Sequence, residues 1–285
     1  MPTLLKPLAR LPLGLFHWVG AALGRVGFFL DKTYARRITE NLASSGLSPS
    51  AKEMPALARL VAGEIGKSAL ELLVVWYAPP PRLHKFIRDV QGWASVEAAL
   101  AKGRGIIFLT PHLGCFELAS VYYSLRHPLT VLYRPPKLKW LHPLLHSGRQ
   151  RAQAKLAPTN ITGVKRLLHA LRRGEAVGLL PDQVPSAGEG VWADFFQRPA
   201  YTMTLPWRLA ERTGAAVFVI SVTRLPHAQG YHMRFEPFAF PPGLNAQSAA
   251  RLVNQALEGM ITQNPTQYLW SYNRYKIPGN LPPVQ

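Results

Sequence analysis

His112 and Glu117 close the segment Thr110-Pro-His-Leu-Gly-Cys-Phe-Glu117, which follows the apolar run Gly105–Leu109. Histidine is the side chain best matched to moving a proton at neutral pH. A carboxylate within hydrogen-bond reach can hold the ring in one tautomer and stabilise the imidazolium that forms. A spacing of i, i+5 does not align two side chains on one continuous helix. The spacing therefore predicts His112 at or before a helix start, curling back over the first turn towards Glu117. A capped histidine beside a surface glutamate fits the spacing as well, so the pair alone does not decide between chemistry and structure.

Two further apolar runs end on polar signatures. Leu129–Tyr133 runs into Arg134-Pro135-Pro136, and Ala176–Leu180 runs into Pro181-Asp182-Gln183. Ligands of open α/β sheets gather beyond the strand C-termini, so the three loops are expected to converge. Arg134 is the candidate for holding an anionic group or developing negative charge, and Asp182 for positioning a substrate hydroxyl or the arginine. Each also has a plainer reading, Arg134 as a surface cation and Asp182 as a turn former beside proline.

Two other signals carry less. Cys115 lies three residues from His112, but in a helix's first turn it packs as a small hydrophobe rather than as a nucleophile. His142 and His146 stand at i, i+4, yet no Cys, Asp or Glu lies nearby to complete a metal set. No metal and no cofactor is expected.

Short apolar strands alternating with helical periodicity are needed to place these loops. Helices are predicted over 50–78, 93–103, 114–126, 138–152, 163–173, 202–212 and 245–264. Besides the three strands already named, 216–223 reads as a buried strand and 231–238 alternates like an edge strand. The Pro79-Pro80-Pro81 run is a hard stop. The pattern is that of an α/β protein, a mostly central β-sheet flanked by helices. Residues 1–80 read as an apolar, helical, membrane-associated extension, and residues 81–285 as the α/β domain.

The 285 residues carry 33 Lys+Arg against 15 Asp+Glu, a formal charge of +18. Such a balance attracts anionic partners. Between Glu117 and Glu175 there is no acidic residue, while the interval contains Arg126, Arg134, Lys137, Lys139, Arg149, Arg151, Lys155, Lys165, Arg166, Arg172 and Arg173. That one-sided stretch reads as a docking surface for phosphorylated head groups or an acidic carrier. No nucleic-acid module is recognisable, and nucleic acid is not an expected partner. A single cysteine excludes an internal disulfide framework and fits a reducing compartment. Leu11–Leu30 is about the length of a membrane span but includes His17 and Arg25, with basic residues on both flanks. With Phe16, Trp18, Phe28 and Phe29 it reads better as a helix lying in an interface than as a secretory signal, since no small-residue cleavage site follows. A buried core helix is the remaining alternative.

The segments TPHLGCFELAS, YRP, LLPDQ, GVWADFFQRPAYTMTLPWRLAERTGA and YLWSYNRYK occur in that order and cover, with Arg36-Arg37 and Glu40-Asn41-Leu42, nearly the whole chain. Together they resemble the bacterial late acyltransferases of lipid A biosynthesis, the lauroyl and myristoyl transferases within the wider lysophospholipid acyltransferase group. The chain departs from that pattern at Cys115-Phe116, where Asn-Trp is common, and at Tyr272-Asn273-Arg274, where His-Arg-Arg is usual. The resemblance implies an O-acyltransferase moving a fatty chain from an acyl carrier protein thioester to a hydroxyl of a phosphorylated lipid A precursor of the Kdo-lipid IVA type. It implies His112 as general base with Glu117 orienting it, Arg134 at the oxyanion, and Asp182 and Gln183 on the acceptor side. It places the protein at the cytoplasmic face of the bacterial inner membrane, against anionic lipids. Two rivals stand beside it: the same chemistry on another glycolipid, aminolipid or lysophospholipid, and a non-catalytic basic protein that binds membrane or nucleic acid.

Overall fold

The computed structural model describes residues 6–47, 50, 52–135 and 142–279. A seven-stranded sheet in the order β1-β9-β8-β2-β5-β3-β4 forms its centre. Its strands are β1 (Ile87–Gln91), β2 (Ile106–Leu109), β3 (Leu129–Tyr133), β4 (Ala154–Pro158), β5 (Ala176–Leu179), β8 (Ala216–Arg224) and β9 (Tyr231–Phe238). The five strands from β8 to β4 run parallel, whereas β9 is antiparallel to β8 and carries β1 parallel to itself. β2 and β5 are buried at every position, which is why they read as uninterrupted apolar runs. An antiparallel hairpin, β6 (Gly190–Phe195) and β7 (Arg198–Met203), stands apart from this sheet.

Helices cover both faces. Phe108, Val131 and Phe218 point to one face, into a core shared with helix α6 (Phe116–Ser124), helix α5 (Trp93–Ala101) and the C-terminal half of helix α3 (Met54–Tyr77). Ile107, Leu109, Val177 and Val219 point to the other. There they meet helix α8 (Ile161–Arg172), helix α9 (Leu205–Thr213), helix α10 (Ala246–Gln263) and Ile38 and Leu42 of helix α2 (Lys32–Ser44). The alternation of side chains along each strand produces this division.

The first long helix, α1 (Leu13–Leu30), lies along α3 through small residues. A Cβ built on Gly20 would sit 2.6 Å from the Gly66 carbonyl oxygen, so only glycine permits this approach. The outer face of α1 leaves Trp18, Leu23, Val26, Phe29 and Leu30 exposed, Trp18 by 72%. Among the described residues α1 is the one helix that by length and composition could cross a membrane.

The sequence reading missed four strands and misplaced a fifth. The β6–β7 turn holds Phe196 and Gln197 at φ 48° and 61° without a Gly or Asn to announce it. Phe196 is held there by ring contacts with Phe195 and Trp270. β7 extends to Met203, so the helix expected from Thr202 begins at Leu205. The strand 231–238 is not an edge, because β1 covers it. β4 is the opposite edge and ends in Pro158, a residue an edge strand tolerates. The Pro79–Pro81 run ends α3 but also starts the short helix α4 (Pro80–Phe86), since proline suits a first helical turn. Of the helix expected over 138–152, residues 138–141 lie outside the described residues; helix α7 covers His142–Arg149.

Candidate active site

The loop after β2 is fastened at several points. Thr110 N–H donates to the Leu179 carbonyl (3.0 Å), Cys115 N–H to the Val222 carbonyl (2.9 Å) and Gly114 N–H to the Gln267 carbonyl (3.0 Å). Gly114 has φ +60°, and any side chain there would collide with the Val222 carbonyl oxygen, so glycine is required two residues after His112. The C-terminal segment straps the same loop, with Leu269 N–H donating to the His112 carbonyl at 3.1 Å.

His112 precedes α6, as its i, i+5 spacing predicts, with its ring 4.6 Å from that of Phe116. The carboxylate at its Nδ1 is not Glu117. Asp182 Oδ1 lies 2.8 Å from Nδ1, and Oδ2 accepts the His112 backbone N–H, also at 2.8 Å. Asp182 stands just beyond β5, and β5 neighbours β2, so adjacent parallel strands deliver both residues to one end of the sheet. Burial opposes ionisation of Asp182, but the charge and hydrogen bonds of His112, helped by the buried Arg274, hold its carboxyl below the ordinary value. Asp182 is therefore an acceptor and Nδ1 the donor facing it, so that when the ring is neutral the lone pair lies at Nε2. The Gln183 amide nitrogen lies 3.1 Å from that Nε2.

Glu117 has a different partner. From the first turn of α6 its Oε1 accepts from Arg149 Nε at 2.7 Å and also from Arg149 Nη2. The expected bond between Glu117 and His112 is thus replaced by two separate pairs. The reason is direction: Glu117 projects from α6 towards α7, whereas the His112 ring is drawn towards the end of β5. Asp182, expected on the acceptor side, sits instead behind the imidazole and is 2% exposed at its side chain.

His112, Glu117, Arg134, Arg149 and Gln183 line one cavity of about 570 Å³. Arg134 is exposed at the rim, with Ser186 Oγ at 3.5 Å. Arg208 and Arg212 of α9 reach the same cavity and have no acidic partner among the described residues. The rest of the lining is largely apolar, with Phe108, Ala119 and Val131 on the α6 face of the sheet and Leu132, Leu168 and Leu209 on the α8–α9 face. Pro136, Lys137 and Lys139 of the basic stretch lie outside the described residues.

Cys115 is buried, and burial together with nearby Glu71 pushes its thiol well above the ordinary value, so it is an inert core residue. His142 and His146 stack on each other at 5.4 Å, and no metal-binding group of three is found among the described residues. Behind the loop, Arg224 donates to the Gly114 carbonyl (2.9 Å) and pairs with Glu71 (2.9 Å) and Glu64 (3.0 Å). His17 of α1 and Tyr231 also reach Glu71, at 3.2 and 2.9 Å. Burial works against Glu71 ionising, yet Arg224 and His17 bring it down to about 2. Sequence reasoning missed this cluster. It also missed the special position of Arg149, one cation among eleven in an acid-free stretch with no local signal to distinguish it.

Residues 3–277 match the family model described as bacterial lipid A biosynthesis acyltransferase. The chain is 26% identical to the lipid A biosynthesis lauroyltransferase of Escherichia coli K12 over 272 residues, covering 94% of this chain and 87% of that one. It is 26% identical over 269 residues to the lipid A biosynthesis palmitoleoyltransferase of the same organism, with the same coverage. It is 28% identical over 184 residues to a phosphatidylinositol mannoside acyltransferase of Mycobacterium tuberculosis, covering 62% of this chain and 55% of the relative.

Proposed function

We propose that this chain, which belongs to the bacterial lipid A biosynthesis acyltransferase family and is an acyltransferase, moves a fatty acyl group from an acyl carrier protein thioester to a hydroxyl of a phosphorylated lipid A precursor. The observation that carries the reading is His112, held by Asp182 through Nδ1 with Nε2 facing a cavity that is cationic at its mouth and largely apolar elsewhere. The acceptor hydroxyl displaces the Gln183 amide from Nε2 and gives its proton to that nitrogen. Its oxygen bonds to the thioester carbon, and the carbonyl oxygen becomes an oxyanion. Arg134 stabilises that charge, with Arg149 fixed nearby by Glu117. The tetrahedral centre collapses, the C–S bond breaks, and the imidazolium protonates the departing thiolate. The ester and a free thiol are the products, and no covalent enzyme intermediate is needed.

Three features support the substrate classes. Arg134, Arg208 and Arg212 at the rim suit an acceptor bearing phosphates. The acid-free basic stretch suits an acidic carrier protein. The exposed apolar face of α1, which lies along the protein instead of projecting from it, suits an in-plane position on the cytoplasmic leaflet of the inner membrane. The similarity to a phosphatidylinositol mannoside acyltransferase favours a second acceptor, a phosphorylated mannosyl glycolipid.

The test is purified protein with lauroyl carrier protein and each acceptor lipid, read by mass spectrometry. Addition of one acyl group to the lipid A precursor, absent with His112→Ala, is the expected result. Transfer only to the mannosyl lipid would replace the acceptor, and undiminished transfer by the histidine variant would discard the mechanism.

A further inference from the structure

Residues paired across the centre of the sheet form a row: Phe218, Phe108, Gly178, Val131 and Leu156 stand side by side on β8, β2, β5, β3 and β4. The row faces α6 and is filled with large side chains except at Gly178. Nothing in the backbone asks for glycine there. Gly178 is not among the residues with positive φ, and a Cβ at this position would meet Val131 Cγ2 at 3.4 Å and Leu129 Cδ1 at 3.8 Å, ordinary contacts. Glycine inside a strand weakens it and leaves a gap in packing. Here the gap is part of the cavity, whose apolar wall includes Phe108, Ala119, Tyr123, Leu129, Val131 and Gly178.

We propose that Gly178 sets how long an acyl chain the enzyme accepts. The cavity wall extends from Arg134 beyond the C-terminal end of β3 to Leu129 at its N-terminal end, five residues at about 3.3 Å each, or roughly 17 Å. Gly178 is paired with Val131, midway along that wall. A chain entering beside His112 passes over the missing side chain to reach Leu129. A larger residue at 178 would close the passage between Phe108 and Val131 and leave only the upper part open. The inference rests on the acyl-transfer reading and adds the residue that decides the donor.

The experiment compares wild type, Gly178→Ala and Gly178→Val with carrier thioesters of 8 to 18 carbons, alongside binding of free fatty acids of the same lengths by displacement of a fluorescent fatty acid. In Gly178→Val the ratio of rates for the wild type's preferred donor to one four carbons shorter should fall about 10- to 100-fold, with the binding preference shifting the same way and short donors still used. Gly178→Ala should shift less and keep the wild-type melting temperature, which separates a changed cavity from a damaged fold. An unchanged length profile in both assays for either folded variant overturns the proposal. If wild type transferred no acyl group but bound fatty acids, the transfer reading would fail, while a shift in binding preference in the variants would still uphold the role of Gly178.

Discussion

The imidazole of His112 is held by Asp182, seventy positions later, with 2.8 Å between Nδ1 and Oδ1. Glu117, the acid closest in sequence, is engaged elsewhere. Asp182→Asn should therefore lower kcat by on the order of 10³–10⁴, because an amide can present the wrong group to Nδ1 and favour the wrong tautomer. His112→Ala should lose at least as much. Single-turnover rates with a carrier thioester check both, and a near-normal rate for Asp182→Asn would remove it from the proton-transfer pair.

Glu117 and Arg149 should behave as one unit. Each single alanine variant should lower kcat/KM strongly, and the double variant should cost little more than the worse single, leaving a coupling of about 1–3 kcal/mol. Strict additivity in that double-mutant cycle would show that Glu117 acts independently of Arg149.

The sequence identified His112 as a group preceding a helix and named the three loops that line the cavity, because apolar strands and their breaking residues are local signals. The identity of the partners is not local. Asp182 and Glu117 are both acids near the ends of apolar runs, and only the adjacency of β5 to β2 decides which one meets the imidazole. β1 and β4 escaped notice because they are short edge strands, three of five residues exposed in β1. The β6–β7 hairpin escaped because Phe196-Gln197 adopts a turn by burying an aromatic ring rather than by using turn-forming residues.

The cluster around Glu71 predicts a pH dependence of stability. Its folded value of about 2 lies below the ordinary 4.5. Its contribution is therefore full above about pH 4.5 and is lost as pH falls from there towards 2. Glu71→Gln leaves the Arg224 cation buried without its main partner and should cost about 3–5 kcal/mol. Denaturant unfolding at pH 7 measures that cost. Repeating it at pH 3 should show a smaller gap between variant and wild type, and an equal gap would contradict the linkage.

Arg208 and Arg212 should act in acceptor binding rather than in the chemical step. The double alanine variant should raise KM for a phosphorylated acceptor several-fold, with kcat little changed and a shallower dependence on ionic strength. Steady-state rates at 50 and 300 mM salt test this; a fall in kcat alone would move these arginines into the transition state.

Because β3 and β4 intervene in the chain between β2 and β5, the imidazole and its carboxylate come together only when β5 pairs with β2. Closure of such distant segments is the slow part of building a parallel sheet. On the proposed mechanism, chains in which β5 has not yet docked beside β2 should transfer no acyl group. Appearance of turnover during refolding would consequently time the docking of those two strands.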